Sequence, residues 1–400
     1  MPTDCLMFAR SVPGMSSKDV KIHVLHVMET LCHFGGTPVK LLYQVLNSSP
    51  DFKFTICCVV EEGELASEFR KAGAEVIVLN HHKNYDLRQI NDIVGIIKSH
   101  NIDIVHTHFA RSNTFGRIAA ILAGRPVIVS EHGIPRNNSI VVRFFDNILN
   151  LFTAHLVANS RATLENVQSK IFLNRGNMSF IYNGVPDMPR GYLEISQNEL
   201  KRECGFDPDD FIILNIGGHT AWRDTITLVE AVARIRPLIL GLKVVQIGGG
   251  SERGRLEAAI AQHNLKDIFF LWGIMDREKV HRFIRAADVY VNPAILEGFG
   301  IATVEAMLCE LAVVCADSGS LPELVEHERN GLLFSPKDID GLSRCILSLY
   351  RSAELRQKLG RAARERALDK FNIKRFVSSF EEKYRSMYRG EMDLLDGGTR

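Results

Sequence analysis

The segment from Leu296 to Met307, LEGFGIATVEAM, constrains the fold more than any other part of this chain. It follows the run Val289–Val291, whose β-branched and aromatic residues are typical of a parallel strand buried on both faces. Gly298 and Gly300 then permit backbone conformations that a Cβ would block. Because apolar residues recur at helical spacing from Val304 onward, this part of the chain is predicted to form a strand, a glycine turn and a helix.

The start of this predicted helix suits an anion. Its free amide N–H groups and the positive end of its dipole would point into the crevice beyond the strand end, and phosphate is the usual ligand there. Glu297 precedes the glycine turn, and Glu305 falls at the edge of the apolar helix face. A partly buried acid needs hydrogen-bond donors, which sugar hydroxyls supply. The residues therefore predict a site for phosphate and sugar, with an ordinary strand–helix unit and solvated acids as the alternative.

The two acids and the Gly-aromatic-Gly turn between them resemble the motif of the retaining glycosyltransferases of family 4. The strand 312–316, the loop 317–323 and the turn 330–333 extend this resemblance. It implies that Glu297 contacts the donor sugar and that Glu305 holds the ribose of the nucleotide. The turn residues whose amides would meet the sugar and the diphosphate are Gly298, Phe299, Gly300 and Ile301.

Strands alternate with helices throughout the 400 residues, which are too many for one ordinary core. This order predicts an α/β fold with right-handed crossovers and doubly wound parallel sheets. The family resemblance, which covers roughly residues 21–388, implies the glycosyltransferase B architecture, in which two Rossmann-like domains face each other across a cleft. We expect a disordered tail at 1–20, an acceptor domain at 21–190, a donor domain at 191–370 and a helix at 371–389 that returns to the first domain.

Charge and cysteine content narrow the class of protein. The formal net charge of +1 gives no electrostatic argument for nucleic-acid binding. No apolar run reaches the ~18 residues of a membrane-spanning helix, and residues 1–18 lack the basic start and apolar core of a secretory signal. The eight cysteines are scattered without a C-x-x-C pair, as in a reducing compartment. We therefore expect a cytoplasmic protein without a nucleic-acid partner; the sequence does not define its oligomeric state.

Strand ends in the first half predict the acceptor site. Gly35 and Gly36 follow the first strand without the G-x-G-x-x-G spacing of a nicotinamide site, and the resemblance places them at the cleft, Gly35 toward the acceptor and Gly36 toward the donor. His106 and His108 share one face of a later strand, which would suit a metal, but no third ligand is evident. We interpret both as acceptor contacts, and Arg111 as a contact to a charged acceptor or a solvated residue at a helix start.

His132 ends another strand, in the sequence Glu-His-Gly. The family resemblance places it near the donor sugar, where it could hydrogen-bond a hydroxyl and, when charged, offset negative charge near the leaving group. A structural histidine at a strand end is the alternative.

The segment 138–152 has unusually large apolar residues at helical spacing and carries only Arg143 against Asp146. A membrane-adsorbing helix would have more lysine and arginine. We therefore expect a core helix here, with a surface that touches lipid or a lipid-linked acceptor as the alternative.

The second half departs from the family pattern at one turn. The arginine and lysine that clamp the donor diphosphate in the family correspond here to Gly218 and Arg223. Arg223 can still bind phosphate in bidentate fashion, with a solvated arginine beside Trp222 as the alternative, and His219 is the candidate to replace the missing cation. Further donor contacts implied by the resemblance are Gly248, Gly249, Trp272 and Gly273.

The resemblance implies a metal-independent, retaining hexosyltransferase without a cofactor, whose co-substrate is a UDP- or GDP-linked sugar. Glu297, His132 and Arg223 would take the catalytic roles. The acceptor is expected to be a glycan or a lipid-linked hydroxyl in cell-surface polysaccharide synthesis, with peripheral contact at the inner membrane face. Two alternatives stay open: a nucleotide-sugar epimerase or phosphorylase on the same architecture, and a non-catalytic binder of nucleotide sugar, which Gly218 motivates.

Overall fold

Two parallel sheets organise the chain. A computed structural model describes residues 21–32, 36–83, 85–133, 140–188 and 194–391, and within these ranges the sheets have seven and six strands. The first, in spatial order β3-β2-β1-β4-β5-β6-β7, contains β1 (Ile22–Met28), β2 (Phe52–Cys58), β3 (Glu75–Val78), β4 (Ile104–His108), β5 (Val127–Glu131), β6 (His155–Ala158) and β7 (Met178–Phe180). The second, in order β10-β9-β8-β11-β12-β13, contains β8 (Phe211–Ile216), β9 (Leu242–Ile247), β10 (Phe269–Trp272), β11 (Val289–Asn292), β12 (Ala312–Ala316) and β13 (Leu332–Phe334).

Helices connect these strands, and the predicted α/β fold with two Rossmann-like sheets is confirmed. The helices that accompany the first sheet are α1 (Gly36–Asn47), α2 (Ala66–Lys71), α3 (Arg88–Ser99), α4 (Ala110–Leu122), α5 (Ile140–Asn150) and α6 (Arg161–Gln168). Those that follow are α7 (Gln197–Glu203), α8 (Thr225–Ile235), α9 (Arg253–Gln262), α10 (Arg277–Ala286), α11 (Ile301–Leu308), α12 (Leu321–Leu324), α13 (Ile339–Arg351), α14 (Ala353–Lys370) and α15 (Ile373–Arg389). None of the described helices is both long and apolar enough to span a bilayer.

Each sheet has a switch point where the strand order reverses, between β1 and β4 in the first and between β8 and β11 in the second. Ligands of open parallel sheets bind beyond the carboxyl ends of the strands at such a point. The apolar run Val289–Val291 forms β11 and is fully buried, as the absence of polar alternation predicts. The glycine turn and α11 follow directly, so the predicted strand, turn and helix are present at the second switch point.

Helix α15 returns from the second half of the chain to the first sheet. Its residues Phe376, Phe380 and Tyr384 are buried in one cluster with β1 and β2. The ring of Tyr384 also meets that of Phe52, with 5.8 Å between their centroids. The predicted tail at 1–20 and the predicted domain boundary at 190 lie outside the described residues.

Helix α5 is not a core helix, and that prediction is wrong. Its large residues face solvent, with Phe144 62% and Phe145 58% exposed. The inward face carries Asn147 and Asn150, whose amide groups donate to backbone carbonyls of residues 170–174. Because these polar contacts position the helix, its apolar side points outward. The exposed residues of this apolar face are Ile140, Val141, Val142, Phe144, Phe145, Ile148, Leu151 and Phe152.

Candidate active site

Glu297 lies just beyond the carboxyl end of β11 and is 6% exposed. Arg223, in the turn after β8, forms an ion pair with the Oε2 atom of Glu297. The amide Nδ2 of Asn292 lies 3.3 Å from the same oxygen and 3.1 Å from Oγ1 of Thr303 on α11. The strand end and the helix start therefore position the acid together. Two of the three predicted catalytic residues, Glu297 and Arg223, are in direct contact.

The glycine turn before α11 packs against the first domain. Gly300 has a φ of 93°, in the region that favours glycine. A Cβ on Gly298 would lie only 2.7 Å from the Cα of Gly133, beyond the end of β5. A Cβ on Gly36, at the start of α1, would lie 2.5 Å from Cδ1 of Ile301. Side chains at Gly298 and Gly36 would therefore hold the two domains apart.

A second pair of glycine turns lies at the ends of β8 and β9. Gly248 has a φ of 145°, and a Cβ there would overlap the carbonyl oxygen of Gly217. The carbonyl oxygen of Gly249 accepts from the His219 N–H at 2.8 Å, and a Cβ on Gly218 would lie 3.4 Å from that oxygen. The turns pack backbone on backbone, which leaves no room for side chains between them.

The structure does not support His219 as the replacement for the missing cation. Its side chain is fully buried, and its Nε2 atom is bonded to the side chain of Gln246 on β9. The Nδ1 atom is buried, and no group in the described part of the chain forms a hydrogen bond with it. The ring therefore lies within the sheet rather than in the cleft, which leaves Arg223 as the predicted phosphate cation.

The two aromatic residues of the predicted donor site both pack against other rings, Phe299 as a buried residue and Trp272 as a partly buried one. Phe299 is 2% exposed and its ring meets those of Tyr182 and Phe371, so that its side chain is unavailable to a ligand. The ring of Trp272 lies edge-on to Phe283 with 4.7 Å between centroids. Its carbonyl oxygen accepts from the Gly248 N–H at 3.2 Å, which ties β10 to the glycine turns. An added Cβ at the neighbouring Gly273 would meet no other atom within 4 Å.

Glu305, the predicted ribose acid, is also paired with an arginine. Its Oε1 atom accepts from Arg277 Nη2 at 2.9 Å, across from α11 to α10. Burial raises the pKa of this carboxyl group, and the nearby Arg277 lowers it. The guanidinium of Arg277 lies 5.4 Å from the centre of the Tyr43 ring on α1. Glu305 is thus linked to the first domain through Arg277, a residue that the sequence pattern did not single out.

The two histidines predicted to contact the acceptor lie within the first sheet. His106 is 1% exposed, and its ring nitrogens lie 2.6 Å from the Tyr384 hydroxyl and 2.7 Å from the Ser130 hydroxyl. His108 is likewise buried, between His26 and His132. Neither ring has an exposed nitrogen from which to reach an acceptor directly. The third ligand position that the sequence did not reveal is His26, on β1.

A metal at His26, His106 and His108 would have ligand atoms within 4.8 Å of one another. However, Nδ1 of His26 and Nε2 of His108 are 2.8 Å apart, a hydrogen-bond distance at which they share a proton. Both nitrogens of His106 are also bonded to hydroxyl groups. The donor set is arranged for hydrogen bonding, which favours the non-metal interpretation.

Arg111 holds a loop of its own domain. Its Nη2 atom donates to the carbonyl oxygens of His81 and Lys83 at 2.7 and 2.9 Å. Its Nε atom donates to Gln89 at 3.3 Å. This arrangement supports a structural role rather than contact with an acceptor. Gly35, the other predicted acceptor residue, lies outside the described residues.

His132 lies at the contact between the domains. Its carbonyl oxygen accepts from Asn159 Nδ2 at 2.8 Å, and an added Cβ on Gly298 would lie 3.2 Å from that oxygen. Its Nδ1 atom lies 3.4 Å from Nζ of Lys40, a buried lysine of α1 that the sequence analysis missed. Burial and Lys40 hold the pKa of His132 well below its usual value, so the ring is neutral. The predicted charged form of His132 is not supported.

One acid of the second domain also caps a helix of the first. The carboxylate of Glu323, on α12, accepts from the N–H groups of Arg161 and Ala162 at 2.9 and 2.8 Å. These amides are the first of α6 and have no partner within their own helix. Beside them, Thr163 Oγ1 donates to the carbonyl oxygen of Gly298 at 3.2 Å. The start of α6 is thus part of the contact between the two domains, next to the glycine turn.

Two family models match the chain. Residues 48–187 match the model described as Glycosyltransferase Family 4, and residues 196–366 match the one described as Glycosyl transferases group 1. Together they cover most of both sheets, with the paired acids inside the second match. The chain belongs to the family 4-like glycosyltransferases.

Relatives of this glycosyltransferase match most of its length. An N-acetyl-alpha-D-glucosaminyl L-malate synthase of Bacillus anthracis is 23% identical over 319 residues, which are 77% of this chain and 81% of the relative. A UDP-Gal:alpha-D-GlcNAc-diphosphoundecaprenol alpha-1,3-galactosyltransferase of Escherichia coli is 24% identical over 388 residues, 93% of this chain and 99% of the relative. The structure of Anabaena HepE with UDP and glucose has a TM-score of 0.79 at 20% identity, covering 91% of this chain and 100% of HepE. The relatives support glycosyltransferase activity, and the structural likeness shows the glycosyltransferase B fold.

Proposed function

We propose that this glycosyltransferase is a retaining, metal-independent hexosyltransferase that uses a UDP- or GDP-linked sugar. The observation that carries the proposal is two acids at α11, each paired with an arginine. Glu297, buried just before the helix, pairs with Arg223, and Glu305, on the helix with 13% of its side chain exposed, pairs with Arg277. A diphosphate can replace a carboxylate as the partner of an arginine, and the released acids can accept hydrogen bonds from sugar and ribose hydroxyls. The HepE structures, which hold UDP or UDP-glucose, support a uridine nucleotide as the first choice.

The proposed mechanism is displacement on one face of the sugar. The bond between the anomeric carbon and the diphosphate oxygen breaks, and the acceptor oxygen bonds to the same face. The departing phosphate takes the acceptor proton, so no side chain is needed as the base. Arg223 and the N–H groups at the start of α11 stabilise the charge on the leaving group, and Glu297 positions the sugar. His132, held neutral, serves as a wall of the sugar site.

Donor binding is tested first by ligand-detected NMR with UDP-, GDP- and ADP-glucose. We expect the UDP or the GDP sugar to bind, and Glu305→Ala to abolish binding because the ribose loses its acceptor. Glu257→Ala is the control, since the side chain of this acid on α9 is 55% exposed and pairs with Arg253 on the surface of its own helix. Failure of all three nucleotides to bind at millimolar concentration would contradict the proposal.

Turnover separates the proposed transfer from its alternatives. A transferase releases nucleoside diphosphate only with a sugar or glycan acceptor, and its product keeps the anomeric configuration of the donor, which proton NMR of the product measures. The same rate in EDTA is expected of a metal-independent enzyme. An epimerase would consume donor without acceptor, a phosphorylase would require phosphate, and a non-catalytic binder would release no nucleotide with any acceptor.

We further propose that the apolar face of α5 contacts a lipid surface, which suits a cytoplasmic enzyme acting on a lipid-linked acceptor. This outward face exposes large residues such as Phe144, Phe145 and Phe152. Arg143 and Lys170 lie close together beside it, where burial and Arg143 lower the pKa of Lys170. Apolar residues flanked by cations favour an anionic lipid surface. The lipid-linked substrate in the name of the E. coli relative is consistent with this setting.

Co-sedimentation with vesicles of phosphatidylglycerol and phosphatidylcholine tests this contact. The double variant Phe144→Ser and Phe145→Ser should lose binding, because it removes two of the largest apolar side chains of the face. Leu240→Ser is the matched control, since Leu240 is 86% exposed in the second domain. Equal binding by the double variant and the wild type would exclude the lipid contact.

A further inference from the structure

Lys40 is a buried cation whose partners are neutral. It lies on α1 with 7% of its surface exposed, and its Nζ atom donates to Asn183 Oδ1 at 2.7 Å. It also lies 3.4 Å from His132 Nδ1 and 5.1 Å from the centre of the Phe376 ring. None of the carboxylates among the described residues forms an ion pair with it. Burial lowers the pKa of Lys40 to about 7.

A line of hydrogen-bonded rings leads from Lys40 into the first sheet, and we call it the Lys40 chain. Nε2 of His132 lies 2.9 Å from Nδ1 of His108. Nε2 of His108 in turn lies 2.8 Å from Nδ1 of His26. The chain ends at Nε2 of His26, which is buried and has no hydrogen-bond partner among the described residues. Its four members are Lys40, His132, His108 and His26.

The charge of Lys40 dictates the direction of every bond in this chain. An ammonium group can only donate, so Nδ1 of His132 must carry its lone pair toward Lys40. A neutral imidazole then has its proton on Nε2, which donates to His108 Nδ1, and His108 donates to His26 in the same way. Burial lowers the pKa of His26 to about 3 and holds those of His108 and His132 well below their usual values. All three rings are therefore neutral at physiological pH.

We propose that Lys40 is a positioning residue of the transferase, which in its charged form holds the His132 ring as a single neutral tautomer with the proton on Nε2. Both ring nitrogens are then bonded inside the protein, and the ring cannot rotate without breaking two bonds. Because the carbonyl oxygen of His132 and the adjoining Gly133 meet Gly298, a fixed ring keeps this wall of the sugar site in place. The role at the sugar site rests on the proposed function, whereas the tautomer does not.

Loss of the Lys40 proton removes this constraint on the direction of the chain. A neutral amine keeps two N–H donors and gains a lone pair, so it can either donate to His132 Nδ1 or accept from it. When it accepts, each ring of the chain donates through the opposite nitrogen, and Nε2 of His26, which has no partner among the described residues in either state, changes from donor to acceptor. The other groups around the chain are the neutral Asn183, Ser130, His106 and Tyr384, since Glu131 turns toward Asn113 at 3.0 Å. Lys40 is therefore the member that titrates near neutral pH.

The test is ¹⁵N NMR of the histidine rings in the full-length protein, where protonated and lone-pair nitrogens have distinct shifts. Wild type at pH 6 should show His132 protonated at Nε2, and a second tautomer protonated at Nδ1 should appear as the pH rises, with a midpoint at about 7 and no charged ring. Lys40→Met should lose the single tautomer and the midpoint. Lys40→Arg should keep the Nε2 proton up to pH 9, because arginine stays charged.

Lys383→Met is the control, since Lys383 Nζ also lies near a histidine, 3.0 Å from Nε2 of His155, but outside the Lys40 chain. It should leave the His132 spectrum unchanged. A proton on Nδ1 of His132 at pH 6 in the wild type, or equal spectra for Lys40→Met and the wild type, would overturn the proposal.

The positioning role has its own readout in activity. Once a donor is identified, Lys40→Met should lower the transfer rate about tenfold with little change in nucleotide affinity, and Lys40→Arg should restore the rate. An unchanged transfer rate in Lys40→Met would overturn this role. If no nucleotide binds even to the wild type, the proposed function fails, whereas the tautomer measurement still stands.

Discussion

The two switch points differ in how they hold charge. At the second, between β8 and β11, each buried acid faces an arginine, in the pairs Glu297–Arg223 and Glu305–Arg277. At the first, between β1 and β4, three neutral histidines share hydrogen bonds with Lys40, a cation that has no carboxylate partner among the described residues. The charges at one switch point balance within pairs, whereas those at the other depend on a single proton.

This difference indicates two ways of preparing a site. An arginine that is paired with an acid can exchange that acid for a phosphate, so the second switch point suits a ligand that arrives and leaves with its charge. A directed chain of neutral groups has little charge to exchange and instead fixes the orientation of its members. We therefore expect substitutions at the second switch point to affect nucleotide binding and turnover, and those at the first to affect geometry and pH dependence.

The largest effect should come from removing the cation of the second switch point. Arg223→Met should lower the transfer rate about 10²-fold or more, because the leaving diphosphate loses a preorganised charge. Steady-state kinetics with the identified donor measure this. Arg344→Met, at an arginine 73% exposed on the helix surface, is the control and should keep the wild-type rate. A loss of less than threefold in Arg223→Met would show that this arginine does not hold the diphosphate.

The second-largest effect should come from disrupting the contact between the two domains at Gly298. Gly298→Ala places a Cβ 2.7 Å from the Gly133 backbone and should lower the free energy of unfolding, or of domain closure, by about 2–3 kcal/mol. Urea unfolding measures the first and small-angle scattering the second. Gly254→Ala on α9 meets no atom within 4 Å and should be neutral or stabilising. Equal behaviour of the two variants would show that the domains do not close as described.

Lys40, at the first switch point, should make the free energy of unfolding depend on pH. The folded pKa of Lys40, about 7, lies below its unfolded value, so the unfolded chain binds more protons between about pH 7 and 10, and stability rises with pH there. Between pH 7 and 9 this amounts to roughly 2 kcal/mol. Burial raises the pKa of Glu131 from 4.5 to about 7, so its contribution to stability falls as the pH rises through that range, below the window of the lysine. Urea unfolding of the wild type and of Lys40→Met measures the lysine contribution as the difference between their free energies of unfolding. If this difference stayed constant from pH 6 to 9, the lowered pKa of Lys40 would be contradicted.

The smallest effect should come from the contact between Arg277, near the second switch point, and Tyr43 of the first domain. Tyr43→Leu removes the ring beside Arg277, and a cation–π contact contributes about 0.5–1 kcal/mol at a partly exposed site. We expect UDP affinity to fall about two- to fivefold, as measured by calorimetry. Tyr388→Leu on α15, which is 44% exposed, should leave the affinity unchanged. A tenfold or greater loss in Tyr43→Leu would instead indicate that the ring contacts the nucleotide.

Local patterns made the second switch point predictable. The strand, the two glycines and the helix around Glu297 are adjacent in the chain, and their composition determines their structure without help from distant residues. The alternation of strands and helices similarly predicts the two parallel sheets. The burial of His219 was not predictable in this way, since its partner Gln246 lies on another strand.

Contacts between distant segments limited the prediction of the first switch point. His26 stands beside His106 because β1 and β4 pair in that register, although 80 residues separate them. Lys40 resembles a solvated helix residue until Asn183 and His132 are brought beside it. For α5, the helical spacing defines an apolar face, but the bonds of its asparagines to residues 170–174 decide that this face points outward.

The cap that Glu323 places on α6 should affect how long the two domains stay closed on each other. The carboxylate and the two helix-start amides belong to different domains, and water can solvate both when they separate. Attraction between an acid and the positive end of a helix weakens as salt rises. Opening of the cleft should therefore become more frequent with ionic strength, and the residence time of a bound nucleotide should shorten without any change in the residues that hold it.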